Sequence, residues 1–374
     1  MNYIAILGRQ PELGLLELEC QLGAGGVRPF GKAAIINKQV DINRLGGAQK
    51  IGRIIHQGKS ADIADVLDTS LLPVGQKAKI TFGLSFYGIQ ANKTFVIRTA
   101  SQLKKKLRQH GSVRFVPPKE KLELTAAQIK FNKMLEEGFE LLVVVSKQQM
   151  VIALTEQVQD IDWYSKRDYE RPARSAKVGM LPPKLAQIMV NTTSAPLVYD
   201  PFCGTGVVLQ EALLLGLQAA GSDNSPEMLA ATHKNLSWLA DLRDVPEWSA
   251  EVADAKSITL PREKKLAIVS EGYLGPNLST KPSVSDTGKM QHDLKPLYLD
   301  SLKNWSKQIP SGTEVTITFP VWHTQNGWKK LDIIDAIPGL GYNFRSFAHT
   351  DAHNLIYRRP DQTVGRQMLL LTRT

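Results

Sequence analysis

A tight turn with two glycines, placed between an apolar segment and an apolar helix-like segment, restricts the fold of this chain most strongly. The apolar segment ends at Asp200, the glycines are Gly204 and Gly206, and the helix-like segment runs from 206 to 217. Glycines two positions apart let the backbone approach a ligand without an intervening side chain. The order strand, turn and helix therefore predicts the start of a parallel α/β sheet with a ligand at the turn.

The residues around these glycines indicate the class of ligand. Position 209 is a leucine, so the third small residue of a dinucleotide fingerprint is missing, and the GK[ST] of a phosphate-binding loop is absent as well. The carboxylate of Asp200 would repel a pyrophosphate but suits a ligand with a cationic end. S-adenosylmethionine (SAM) carries an ammonium and a sulfonium. The turn residues that we predict to bind SAM are Asp200, Pro201, Phe202, Cys203, Gly204, Thr205 and Gly206.

Two further aspartates end the next two predicted strands. Asp223, followed by Asn224, lies close to the distance of about 20 residues at which a Rossmann-like domain places the acid that hydrogen-bonds a ribose diol. Asp254, followed by Ala255, stands where a carboxylate can accept a hydrogen bond from an adenine amino group. We predict that all four residues contact the cofactor. The alternative is that these aspartates cap helices, which is a common role for strand-end aspartates.

Strands and helices alternate in the second half of the chain. The predicted strands and helices, in chain order, lie at 183–190, 197–200, 206–217, 219–223, 226–239, 250–254, 266–270, 314–319 and 367–372. Such alternation is typical of a doubly wound, mostly parallel sheet. Residues 276–295 are rich in proline, serine, threonine and glycine without periodicity, so we predict a long loop there.

The first half mixes short apolar runs with glycine pairs, which predicts a small α+β region. It is also strongly basic. Of the net charge of +10, residues 1–174 contribute +9, from 26 Lys and Arg against 17 Asp and Glu. A basic segment joined to a neutral one predicts a polyanion-binding module attached to a second domain. The alternative is a well-solvated basic surface.

Several motifs together resemble one family. The sequence DPFCGTG at 200–206, Arg-Pro at 171–172 and the stretch 183–191 are similar to the SAM turn and lead-in helix of the THUMP-domain tRNA (guanine-10-N2)-methyltransferases. Residues 6–13 and 44–51 resemble the N-terminal ferredoxin-like region of the same family. The resemblance implies a Rossmann-like SAM methyltransferase domain with a mostly parallel seven-stranded sheet, and an N-terminal α+β region.

The resemblance also implies a domain organisation. We expect a ferredoxin-like region at 1–60, a THUMP-like RNA-binding domain at 61–160, a linker at 161–180 and the SAM-dependent methyltransferase domain at 181–374. The residues that we expect to contact RNA phosphates are Lys104, Lys105, Lys106, Arg108, Arg114, Lys119, Arg167 and Arg171. Phosphate contacts of this kind position RNA without reading its sequence.

The catalytic motif of the family is altered in this chain. The family ends its fourth strand with Asp or Asn followed by Pro-Pro-Tyr, whereas this chain has Ser270, Glu271, Gly272 and Tyr273, without either proline. Glu271 can replace the amine acceptor, with Tyr273 as the ring that stacks on the base. In the other alignment Ser270 takes the place of the acidic residue. A plain packing role is the alternative for Tyr273.

The resemblance implies a SAM-dependent tRNA methyltransferase that acts on the exocyclic N2 amine of guanine. Two alternatives remain open: a catalytically silent protein that binds SAM and RNA, and an amino-methyltransferase acting on another nucleic-acid base. The eukaryotic relatives of the family imply a small activating protein as a further partner. Two cysteines, no predicted membrane segment and no metal-ligand spacing among the histidines favour a cytoplasmic protein without a metal.

Overall fold

The computed structural model describes residues 2–61, 63–74, 79–174, 180–262, 265–359 and 362–374. The chain forms two compact units, Met1–Trp163 and Tyr164–Thr374. None of the helices in the described ranges combines the length and the apolar character needed to cross a bilayer. The predicted domain boundaries stay predictions.

The first unit contains a mixed sheet with helices between its strands. Its elements in chain order are β1 (Tyr3–Leu7), α1 (Pro11–Leu22), β2 (Val27–Phe30), β3 (Ala33–Ile36), β4 (Ala48–Lys59), α2 (Ile63–Val66), β5 (Lys79–Tyr87), α3 (Lys93–Leu107), β6 (Ser112–Val116), α4 (Ala126–Phe131), β7 (Gly138–Ser146) and β8 (Gln149–Val158). Among the described residues the strand order is β2-β3-β1-β4-β8-β7-β5-β6. β5 runs parallel to β6 and β7, and the other neighbours are antiparallel.

A buried ion pair lies inside this first sheet. Lys50 on β4 and Glu140 on β7 are 3% and 0% exposed, and their Nζ and Oε1 atoms are 2.5 Å apart. Ser85 and Thr155 donate their hydroxyls to the two oxygens of the same carboxylate. Lys50 also donates to the carbonyl oxygen of Leu124 at 2.8 Å. Buried charges need partners of this kind, because an unpaired buried charge is very costly.

The second unit begins at Tyr164, within the helix α5 (Ile161–Tyr169). The elements are α5 (Ile161–Tyr169), α6 (Pro183–Val190), β9 (Leu197–Asp200), α7 (Val207–Leu214), β10 (Gln218–Asp223), α8 (Pro226–Leu242), β11 (Trp248–Val252), β12 (Leu266–Glu271), α9 (Val284–Ser306), β13 (Glu314–Thr324), β14 (Gly327–Lys330), β15 (Tyr342–Phe344), β16 (Ile356–Tyr357) and β17 (Val364–Arg373).

The sheet of the second unit has the predicted, mostly parallel architecture. In the described ranges its main path is β11-β10-β9-β12-β13-β17-β15, with β14 paired to β13 and β16 to β17. The five strands from β11 to β13 are parallel, and β17 is antiparallel to its neighbours. The chain moves outward from β9 in one direction and then resumes at β12 on the other side. Ligands bind at such a switch point, beyond the carboxyl ends of the strands.

The structure corrects the prediction of a long loop at 276–295. α9 begins at Val284, so most of this stretch is helical. Ser283 and Asp286 form a capping box, and Met290, Leu294 and Tyr298 follow at helical spacing and are buried. Two prolines before the helix and Gly288 within it masked this period, because both residue types are poor helix formers.

Two smaller differences concern element boundaries. Nine residues of the predicted linker form α5, and 175–179 of that linker lie outside the described residues. The strand β11 ends at Val252, so Asp254 lies two residues beyond the strand rather than at its end. Strand ends are assigned less reliably from sequence than the presence of a strand.

Candidate functional site

The glycine turn after β9 has the geometry that its residues predict. Gly204 and Gly206 have φ angles of +54° and +81°, in the left-handed region where a side chain is unfavourable. A Cβ atom on Gly206 would also lie 3.1 Å from Cγ2 of Thr232. Gly206 is the N-terminal cap of α7, so the helix begins directly after the turn. The turn therefore presents backbone instead of side chains at the end of β9.

Asp200 is the last residue of β9 and is buried. Its Oδ1 accepts hydrogen bonds from Ser270 Oγ at 2.5 Å and from the backbone N–H of Phe202 at 3.0 Å. Burial raises the pKa of Asp200 to about 8, against the opposing effect of these two donors. The carboxylates of Asp223 and Glu271 raise the pKa further, since both are close enough to repel its charge. A cationic group placed beside Asp200 would favour its ionised form.

Asp223 ties two turns together at the end of β10. Its Oδ2 accepts a hydrogen bond from the backbone N–H of Gly204, and its Oδ1 accepts one from Ser225, both at 2.9 Å. The cap of α8 is Ser225, and the cap of α7 is a glycine, so neither Asp200 nor Asp223 is the N-cap residue of these helices. Asp254 is half-buried and accepts a hydrogen bond from the backbone N–H of Lys256 at 2.9 Å.

A cavity of about 440 Å³ opens at this end of the sheet. It brings together most of the residues predicted for the site: Asp200, Pro201, Phe202, Cys203, Gly204, Thr205, Asp223, Asn224, Asp254, Ala255, Glu271 and Tyr273. Gly206 and Ser270 are not among its lining residues. Sequence reasoning missed Met180, Leu181, Glu227, Met228 and Leu297, which also line the cavity. Its volume lies within the range of about 300–1,000 Å³ that is usual for small-molecule sites.

The ionisable side chains that line the cavity are mostly acidic. Asp200, Asp223, Glu227, Asp254 and Glu271 line it, and no Lys or Arg side chain does so within the described part of the chain. A site for a pyrophosphate needs donors and cations instead. The lining therefore fits a ligand with a positive charge.

Glu271 is the last residue of β12, and its side chain is only 14% exposed. The guanidinium of Arg366, on β17, donates a hydrogen bond from Nε to Glu271 Oε1. Burial raises the pKa of Glu271, and the positive charge of Arg366 opposes that rise. No local sequence signal indicates Arg366 as the partner of Glu271, because the two residues are 95 positions apart.

The two residues after Glu271 are held by Tyr298 of α9. A Cβ atom on Gly272 would lie 2.3 Å from Cε1 of the Tyr298 ring, so only glycine fits beside this ring. The Tyr298 hydroxyl donates a hydrogen bond to the carbonyl oxygen of Tyr273 at 2.8 Å. The absence of a proline at position 272 thus has a structural reason.

The structure distinguishes between Glu271 and Ser270 as the residue that accepts a hydrogen bond from the amine, and it also bears on Tyr273. Tyr273 is 46% exposed, so it is not part of the core and the packing alternative does not hold. Ser270 is fully buried and donates its hydroxyl to Asp200. The expectation that Ser270 acts as the amine acceptor is therefore corrected: Ser270 supports Asp200 and has no access to the cavity, whereas Glu271 lines it.

The predicted RNA contacts in the first unit stay predictions. Lys105, Lys106, Arg108, Arg114 and Lys119 are exposed, and Lys104 is half-buried. The three lysines occupy the last turn of α3, where positive charge also stabilises the helix dipole.

Arg167 and Arg171, in contrast, are buried at 2% and 3% exposure. Arg167 forms an ion pair of 2.9 Å with the buried Glu211, and its guanidinium lies 3.8 Å from the centre of the Tyr164 ring. Burial lowers the pKa of Arg171. The expectation that these two arginines contact RNA is corrected, since Arg167 is paired with Glu211 inside the second unit and Arg171 is shielded from solvent.

A metal centre and a reactive thiol receive no support from the side chains present. In the described ranges no three His, Cys, Asp or Glu side chains form a group that could hold a metal ion. Burial raises the pKa of the Cys203 thiol, so this cysteine is neutral at physiological pH.

Similar proteins were found by sequence comparison. No family model matches the chain. A tRNA (guanine(10)-N2)-dimethyltransferase of Methanothermobacter thermautotrophicus is 33% identical over 126 residues, which are 33% of this chain and 34% of that protein. A protein of the same name from Pyrococcus abyssi is 22% identical over 365 residues, 96% of this chain and 98% of that protein. The resemblance that the motifs predict is confirmed by these relatives, although the first match spans only about a third of its relative.

A similar solved structure supports the fold. The crystal structure of TrmN from Thermus thermophilus matches this chain with a TM-score of 0.55, over 100% of both chains and at 14% sequence identity. The TM-score shows a shared fold, and at this low sequence identity the match shows the fold alone. The predicted α/β fold class is confirmed by this likeness and by the sheet order.

Proposed function

We propose that this chain, a relative of the tRNA (guanine(10)-N2)-dimethyltransferases, is a SAM-dependent methyltransferase that modifies the exocyclic N2 amine of a guanine in tRNA. The observation that carries the proposal is the acidic cavity at the switch point of the second sheet. Its lining combines five carboxyl groups with a backbone turn and, in the described residues, no cationic side chain. This chemistry suits SAM, whose ammonium and sulfonium are positive.

Different residues of the cavity bind different parts of the cofactor. Asp200 faces the ammonium, Asp223 hydrogen-bonds the ribose diol and Asp254 accepts from the adenine amino group. Bound SAM supplies an electrophilic methyl group. The turn at Gly204 gives the ligand close access to the backbone, because no Cβ atom occupies that space.

Glu271 and Tyr273 position the guanine base and its amine. The Glu271 carboxylate lines the cavity and accepts a hydrogen bond from the amine, which aims the nitrogen lone pair at the methyl group. The exposed Tyr273 ring offers a face on which the base stacks. Orientation of this kind contributes much of the rate of a displacement reaction.

A second cavity of about 250 Å³ adjoins this pair and shares Leu274 with the first. It is lined by residues 274–279 and by Gln362, Thr363, Val364 and Arg366. We assign it to the flipped base, since it shares Leu274 with the cofactor cavity and Arg366 in its lining is hydrogen-bonded to Glu271.

The tRNA is held by the first unit through its exposed basic side chains. Contacts with phosphates make binding steeply dependent on salt. We also propose that the enzyme is cytoplasmic and that a small activating protein is a further partner.

Methyl transfer to tRNA tests the proposal. The protein is incubated with isotope-labelled SAM and unmodified tRNA, and the nucleosides are analysed by mass spectrometry. We expect the label in N2-methylguanosine or its dimethyl form. Label in another nucleoside would mean that a different base accepts the methyl group. Binding of SAM without transfer, also after addition of cell extract as a source of an activating protein, would favour a silent binding protein.

Binding of SAM is expected to weaken as the pH falls below about 8, because the pKa of Asp200 in the free protein is about 8. A neighbouring ammonium lowers that pKa, so binding at pH 7 releases a proton. The affinity then falls by up to about tenfold for each pH unit below the free pKa. Calorimetric titration with SAM in buffers of different ionisation enthalpy measures both the affinity and the released proton.

Asp200→Asn is the control for this pH dependence. The amide oxygen can accept the same two hydrogen bonds from Ser270 and Phe202. We expect weaker binding with a flatter pH dependence and less proton release. An affinity of the wild-type protein that stays constant between about pH 6 and pH 9 would contradict the assignment of Asp200 to the ammonium.

A further inference from the structure

We propose that Arg366 is a positioning residue that keeps the Glu271 carboxylate ionised and oriented toward the acceptor amine. This inference rests on the proposed function, since it concerns the same site. Neither the glycine turn nor the altered motif at 270–273 assigns a role to Arg366. Its place in the sheet and its contacts carry the inference.

Arg366 reaches Glu271 across an intervening strand. Glu271 is paired in register with Thr318 of β13, and Arg366 of β17 is paired with Pro320 of the same strand. Two strand spacings amount to about 10 Å, a distance that a long side chain can cover. The guanidinium is 3% exposed, donates from Nε to Glu271, and donates from Nη2 to the Met180 carbonyl oxygen at 3.4 Å. These two hydrogen bonds fix the orientation of the Arg366 guanidinium.

The groups that face Glu271 explain why it needs this cation. Asp200 comes from β9 and Tyr298 from α9, and neither brings a positive charge. Arg366 is the cation that faces Glu271 in the described part of the chain, and it opposes the effect of burial on the Glu271 pKa. A protonated Glu271 carboxyl would donate a hydrogen bond from one of its oxygens. To accept hydrogen bonds from the substrate amine, Glu271 must instead offer lone pairs on its oxygens.

The position of the ion pair favours a functional role over a purely structural one. Well-packed apolar residues of similar volume often stabilise a fold as well as a buried ion pair does. Here the pair lies where Glu271 lines the cofactor cavity and Arg366 lines the adjoining cavity. The charge of the carboxylate is therefore maintained at the point where both substrates meet.

The pH profile of methyl transfer tests this inference. In Arg366→Gln the Glu271 pKa rises, so we expect the acid limb of the kcat profile to move upward by about 1–3 pH units. The rate at neutral pH should fall by up to about 100-fold, less than the full shift because Glu271 is ionised at neutral pH in the wild-type protein, and should recover at higher pH, while the KM for SAM changes little. Arg366→Lys should restore part of the shift. A loss of equal size at every pH would overturn the inference.

Arg345→Gln is the matched control. Arg345 forms an ion pair of 3.3 Å with Glu314, which begins β13 at the opposite end of the sheet. The same substitution therefore removes an arginine–carboxylate pair from the same unit without touching the cavity. We expect an unchanged pH profile. A similar shift in this control would show that the profile reports the general stability of the unit.

A double variant covers the case in which Arg366→Gln does not fold. Glu271→Gln combined with Arg366→Met leaves no unpaired charge at this place. Because Arg366 acts through Glu271, the double variant should lose less than about twofold more activity than Glu271→Gln alone. Independent, multiplied losses would overturn the inference.

Infrared spectroscopy separates this inference from the proposed function. The difference spectrum between the protein and its Glu271→Gln variant reports the protonated carboxyl band of Glu271 without any turnover. We expect no such band at neutral pH in the wild-type protein and a clear band when Arg366 is replaced by Gln. A wild-type protein without methyl transfer would refute the proposed function, and the infrared result would still decide the role of Arg366. Glu271 ionised with and without Arg366 would refute that role.

Discussion

Glu271→Gln is expected to lower the rate of methyl transfer by about 100- to 1,000-fold, the range found when one group that stabilises a transition state is removed. The substitution keeps the size of the side chain and removes the negative charge that the amine meets as it attacks. It also breaks the ion pair with Arg366. The affinity for SAM should change little, since Asp200, Asp223 and Asp254 hold the cofactor in the proposed site. Single-turnover transfer to tRNA and calorimetric titration with SAM measure the two quantities separately.

Glu251→Gln is the control for this experiment. Glu251 is exposed on β11, in the same unit, and does not line the cavity. The same chemical change there should leave both the rate and the SAM affinity at the wild-type level. A Glu271→Gln protein that transfers methyl groups at more than about a tenth of the wild-type rate would contradict the role of Glu271 as acceptor.

The cofactor turn could be predicted from sequence because its determinants are local. Gly204 and Gly206 are required by backbone angles within the turn, and the strand before them is a continuous apolar run. Asp223 could be found because the next strand of a parallel sheet ends at a regular distance along the chain. In these cases the physical cause and the sequence signal lie within a few residues of each other.

The supporting residues of the altered motif could not be predicted, because their causes are distant in sequence. Arg366 belongs to β17 and Tyr298 to α9, and each meets the motif only when the sheet is formed. The motif itself shows that two prolines are missing. It does not show that a tyrosine ring fills the space beside Gly272.

The error at Arg167 has a different origin. A polar, basic stretch indicates a solvated surface in most proteins, and for that reason the sequence alone predicts that this arginine contacts RNA. The opposing signal lay elsewhere, in Glu211, a carboxylate inside the apolar helix α7. A charge in such a helix needs a buried partner, and Arg167 provides it at 2.9 Å. An isolated charge in an apolar element therefore predicts an equally hidden partner.

Glu140→Gln in the first unit is expected to lower the free energy of unfolding of that unit by about 3–5 kcal/mol, since removing one partner of a buried ion pair leaves the other charge uncompensated. Lys50 would remain 3% exposed, with Ser85 and the Leu124 carbonyl as its other partners. Hydrogen exchange read peptide by peptide, as a function of urea, reports each unit by itself. Peptides of β4, β7 and β8 should exchange faster, while peptides of β9 and β12 keep their rates.

Two further variants separate charge from packing at this place. Lys50→Met combined with Glu140→Gln removes both charges, and we expect it to regain a large part of the lost stability, because no unpaired charge is then buried. Glu137→Gln removes the partner of Lys133 from an exposed pair of 3.2 Å, and its effect should be close to zero. Equal losses in the single and double variants would mean that the hydrogen bonds of Ser85 and Thr155 to the carboxylate, and not its charge, stabilise the first sheet.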